Sequence, residues 1–102
     1  MPEHDLQLHP GEIMDTRAFE ASLKVDGYTE IEIKAYIPTP ANGEHGHHFS
    51  VRGLVLDGAF TVIRGRNAVT YRTGEVFAVA EGCLHCEKSG PVGARVLVGR
   101  KY

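Results

Sequence analysis

The chain has no tryptophan and only two cysteines, and no apolar run approaches the roughly 20 residues needed to span a bilayer. That excludes a membrane-spanning helix and a disulfide-stapled framework. The first five residues are acidic and polar and lack the charged and apolar regions of a signal peptide, so a cytoplasmic location is expected. An excess of charge is missing too. Eleven basic and 13 acidic residues are intermixed, with a formal net charge of -2, which gives no footprint for nucleic acid or an anionic membrane. The expected partner is a small molecule. There is no internal repeat, low-complexity tract or linker, and 102 residues with 42% hydrophobic content suit one small domain.

What is present is punctuation. Twelve glycines and five prolines point to short elements joined by tight turns. Residues 28–38 alternate, with Ile31, Ile33, Ala35 and Ile37 on one face and Glu30, Glu32, Lys34 and Tyr36 on the other. A second apolar stretch, 49–56, ends at Asp57-Gly58, a dipeptide favoured in two-residue hairpin turns, and 59–64 is expected to return beside it. Further strands are expected at 68–72, 75–80, 84–88 and 94–100, with turns at 65–67, 73–74 and 81–82 and a loop at 89–93. A strand every eight to twelve residues or so reads as an all-β sandwich or barrel. Residues 15–25 are the exception. Phe19 and Leu23 lie four apart and Gly27 is a left-handed terminator, which predicts a short helix. The expected division is an N-terminal arm and short helix over 1–29 and a barrel over 30–102.

Three histidines carry most of the functional signal. His45 and His47 stand at i, i+2, so a strand projects both imidazoles from one face, and His85 arrives on another strand after a turn. Imidazole suits zinc, iron, nickel and copper, and a site with three protein ligands leaves room for water or substrate. His48 points to the opposite face, unless a bulge at Gly46 shifts the parity and makes it the ligand in place of His47. His4 and His9 lie in the N-terminal arm and read as solvated. Glu87, two residues beyond His85, is placed to face the same interior as a general base. Its alternative is an ordinary salt bridge with Arg52, Arg72 or Arg95. Tyr36 and Arg52 are weaker candidates for polar groups in the pocket. Cys83 and Cys86 form a C-x-x-C, but they flank a turn into a strand rather than opening a helix, and no second pair completes a zinc site. They read as reduced, packed thiols, with Cys83 sharing the parity of His85 at the pocket mouth.

The order of these residues resembles the cupin superfamily, small jelly-roll β-barrels that commonly bind a metal inside. The family's first motif runs Gly, five residues, His-x-His, three or four residues, Glu, six residues, Gly; here His45, His47 and Gly58 match it. The second runs Gly, five residues, Pro-x-Gly, two residues, His, three residues, Asn; Gly74, Gly82 and His85 match it. The resemblance covers roughly residues 30 to 100. Thr39, Ala80 and Ser89 depart from the pattern at turn and edge positions, and Val51 stands where the family usually has its glutamate ligand. Cupins with that loss, such as thiol dioxygenases and a diketone-cleaving dioxygenase, use a three-histidine ferrous site. The resemblance therefore implies an all-β jelly roll, a small type-2 cupin barrel of the three-histidine variant, with an interior lined by Ile31, Ile33, His45, His47, Phe49, Val51, Val55 and His85. It further implies one divalent transition metal (Fe, Zn, Ni, Mn or Cu) on His45, His47 and His85, and pairing of two subunits into a homodimer. Two function classes stay open: a metal-dependent enzyme of dioxygenase, isomerase or lyase type acting on a small anionic metabolite, and a non-catalytic binding or sensing module.

Overall fold

The computed structural model describes residues 15–38 and 43–102. The N-terminal arm with His4 and His9, and the motif position Thr39, lie outside the described residues. Helix α1 (Thr16–Val25) starts at Asp15, whose side chain accepts a hydrogen bond from the Arg17 amide. It ends in a Schellman turn: the Gly27 amide donates to Lys24 O, the Tyr28 amide donates to Leu23 O, and Gly27 has φ +86°. Five strands follow, β1 (Thr29–Tyr36), β2 (Ser50–Arg64), β3 (Asn67–Arg72), β4 (Val76–Val79) and β5 (Cys86–Lys101), all paired antiparallel. No helix among the described residues is long and apolar enough to cross a membrane.

Strands β2 and β5 are longer than their sequence punctuation predicts. The expected hairpin at Asp57-Gly58 does not form, because Gly58 uses its positive φ of +82° in a bulge inside one 15-residue strand. The expected loop at 89–93 is likewise an interruption within β5. Ser89 pairs with Phe60 and Ala94 with Gly58, so 90–93 bulge out opposite Ala59, which accommodates Pro91 without a ladder bond to β2. Each long strand thereby bends and serves two halves of the barrel. The first half of β2 lies between β4 and the end of β5, whose other neighbour is β1; the second half lies between β3 and the start of β5.

The core fills the space between the halves with Val55, Phe60, Val62, Phe77, Val79, Ala94, Val96 and Val98. A second cluster sits on the outside, where Phe19 and Leu23 of α1 cover Leu54 and Leu97 with Tyr28 and Ile31 beside them. This outer cluster reverses the expected face of β1. Ile31 packs under the helix and Ile33 is 55% exposed, so neither lines the barrel interior. The physical reason is that the apolar stripe of α1 needs a partner, and the outward face of the sheet supplies it. Lys34 and Tyr36 consequently point into the barrel, where Tyr36 lies 5.1 Å from Phe60 between ring centroids.

Candidate metal centre

His45 and His85 form an isolated antiparallel bridge, each backbone amide donating to the other's carbonyl at 2.9 Å. That pairing fixes the two Cα atoms side by side and brings the imidazole centroids to 4.4 Å. His47 adds a third ring, 5.0 Å from His45 and 5.4 Å from His85, and stacks on Phe49 at 4.8 Å. His48 is exposed, so parity through Gly46 holds and His47 is the member of the group. Glu87 completes it. The four ligand atoms of His45, His47, His85 and Glu87 lie within 4.8 Å of one another.

Hydrogen bonds behind the rings orient them. His45 Nδ1 is 2.9 Å from Gly43 O and His85 Nδ1 is 3.0 Å from Cys83 O. A carbonyl only accepts, so a proton on each Nδ1 satisfies it and leaves each Nε2 lone pair facing forward, the arrangement by which outer partners fix metal-binding histidines. On His85, 1% exposed, Nε2 also meets Glu87 Oε2 at 3.0 Å. A neutral imidazole has one N–H, so it cannot donate to both acceptors; a cation between Nε2 and the carboxylate satisfies every atom. This donor set therefore fits a transition ion of the imidazole-preferring kind. His47 is held below the usual histidine range first by burial and then by the neighbouring His45 and His85, which favours its neutral, metal-binding form.

The cluster opens into a cavity of about 100 Å³ lined by Phe49, Val51, Phe60, Phe77 and Val98 as well as by Lys34, Tyr36 and Arg100. Val51 faces this space, as its parity with the histidines predicts. Tyr36 is pushed up to about 12, mainly by burial and then by the Glu87 carboxylate, so its phenol stays protonated. Of the three arginines expected as alternative partners for Glu87, Arg52 pairs with Asp26 at 2.6 Å and Arg95 with Asp57 at 2.8 Å. Arg52 lies over the Tyr28 ring and is no part of the pocket lining. The two cysteines are free thiols, and Cys83 packs against the core rather than lining the cavity. Sequence reasoning passed over Lys34 and Arg100; both lie on the inward parity of their strands, a signal hidden while the isoleucine face of β1 was placed inside.

No protein-family profile and no curated protein matches this sequence. Solved structures do. A cupin superfamily protein from Desulfitobacterium hafniense superposes with a TM-score of 0.59 at 14% identity, over 71% of this chain and 66% of that one. This chain has the cupin fold. A cupin-2 domain protein from Shewanella frigidimarina aligns over 78% of this chain and 89% of its own at 12% identity and TM-score 0.58. KdgF from a Halomonas species aligns over 74% and 87% at 15% identity and TM-score 0.54. This chain spans 58 to 66% of the length of three of the proteins it matches, from Desulfitobacterium hafniense, Streptococcus pyogenes and Salmonella typhimurium. At these identities the likeness speaks for the fold alone, and the chemistry rests on the residues.

Proposed function

We propose that this cupin binds one divalent transition metal through His45, His47 and His85, with Glu87 beside them, and acts as a metal-dependent enzyme on a small metabolite. The observation that carries the reading is the convergence of four donor atoms with two Nδ1 positions locked by backbone carbonyls. A metal held there supplies a Lewis acid for an oxygen-bearing ligand. The protein's own groups do the rest. Glu87 accepts or returns a proton at its carboxylate, and Tyr36 donates a hydrogen bond from a phenol that stays protonated. Phe49, Val51, Phe60 and Phe77 keep the ligand's carbon skeleton away from water. The family's missing carboxylate at Val51 is offset in this reading by Glu87, which approaches from β5 instead of β2.

Elemental analysis of protein purified without a histidine tag tests the site. About one equivalent of a transition metal is expected, with loss of most of it in His85→Ala and in the more exposed His47→Ala. Parent-like metal content in both variants, with folding verified by circular dichroism, would overturn the assignment.

A further inference from the structure

The cavity lined by His45, His47 and Glu87 has a second charged wall. Lys34 sits two residues before Tyr36 on the inward face of β1, is half-buried, and lines the same space. Its cationic neighbour Arg100 is already engaged, 3.0 Å from Glu30 and stacked 4.8 Å from the centre of the Phe49 ring. Among the described residues no carboxylate pairs with Lys34. Among the described residues Glu87 is the one acidic residue lining the cavity, and it stands with the histidines.

A charge count follows. Arg100 is offset by Glu30, and Glu87 offsets one charge of a divalent ion, which leaves one positive charge at the histidines and one on Lys34, a surplus of two. A partly desolvated ammonium without a partner is unfavourable, and an anion that enters the cavity relieves it. The space between is walled by Phe49, Val51, Phe60, Phe77 and Val98, which suits a short hydrocarbon spacer. A volume of about 100 Å³ holds several waters' worth of ligand, on the order of ten non-hydrogen atoms.

From this we infer that the ligand is a short dicarboxylate bearing a hydroxyl or carbonyl beside one carboxylate. That head faces the histidines and Glu87, and the far carboxylate is held by the Lys34 ammonium, which sets specificity for a doubly charged ligand. The inference rests on the metal reading above. It assigns to Lys34 a role that neither the cupin motifs nor the histidine cluster requires.

Isothermal titration of nickel-loaded protein with malate and with 2-hydroxybutyrate isolates the far carboxylate, because the two share the same hydroxy-acid head. The parent should bind malate at least about tenfold more tightly. Lys34→Met should bring the ratio to within about twofold, and Lys34→Arg should restore part of it, with nickel content equal in all three proteins. A parent that does not discriminate, or a Lys34→Met variant that keeps both its nickel and the parent ratio, overturns the role of Lys34 and leaves the metal site standing. A parent that takes up no nickel overturns both.

Discussion

Glutamine in place of Glu87 keeps the side chain's shape and removes its charge, and the effect divides between the metal-free and metal-bound protein. Without metal, the one N–H of a neutral His85 goes to the charged acceptor, Glu87 Oε2, 3.0 Å from the buried Nε2, in preference to the neutral Cys83 carbonyl, and the same Oε2 lies 3.9 Å from His45 Nε2. A hydrogen bond to a charged group contributes about 1.5–3 kcal/mol and a neutral one about 0.5–1.5, so the substitution costs on the order of 1–1.5 kcal/mol. For 102 residues, an unfolding entropy of about 2.1 cal/mol/K per residue converts this into a melting temperature lower by roughly 5–7 °C. With metal, the variant loses a negative charge beside a divalent ion. Even partners outside the ligand shell are worth about 10–100-fold in affinity, so a loss of at least that size is expected for zinc. Melting curves of the stripped protein and zinc titration against a chelator of known affinity measure the two effects separately. A lower melting temperature with zinc affinity unchanged would refute the reasoning, because Glu87 would then serve the His85 ring and not the ion.

Two further outcomes are expected. Val51 lines the cavity, so Val51→Glu returns a carboxylate to the usual motif position: zinc affinity should rise by about tenfold and malate binding should weaken, and no change in either would mean that residue 51 does not reach the ion. The second concerns pH. His47 has its folded value below the usual 6.5, so the unfolded chain takes up the proton first as pH falls; the stability this residue contributes is full above 6.5 and is lost between there and the lowered folded value. His47→Asn should accordingly flatten the metal-free melting profile as pH falls through and below the usual histidine value of 6.5, and a profile as steep as the parent's would count against it.

The features legible in the sequence are those decided within a few residues. Asp15 and Gly27 mark the ends of α1 because caps and left-handed terminators act locally. Strands β3 and β4 lie where turn residues bracket them, and the parity of His45 and His47 needs only that their segment be extended. What failed were decisions made by distant partners. Periodicity gives β1 two faces, Ile31 and Ile33 against Lys34 and Tyr36, but the face that turns inward depends on what covers the other. A clue was present: residues 53–55 and 96–98 are apolar on both strand faces apart from Gly53, which implies a layer outside the barrel, and Phe19 with Leu23 is the one helical stripe able to form it. With α1 on the outside, the isoleucines belong beneath it and the polar face of β1 belongs to the pocket.

The misread turn at Asp57-Gly58 bears on the site itself. A hairpin there would end β2 and release β5 from pairing on both halves of the barrel. Instead, a Cβ at Gly58 would lie 2.1 Å from Gly93 O, so two glycines with φ of +82° and +81° pass each other where β2 and β5 bend. The bend lets one strand supply Glu87 from its first half and Val98 and Arg100 from its second to a single cavity. It also keeps Ile63 paired with Cys86, next to His85, which holds that histidine against His45. The motif glycine at 58 thus acts through the backbone and not as a ligand. By allowing a close crossing of two backbones, it sets the histidine cluster and the Lys34 wall around the same space.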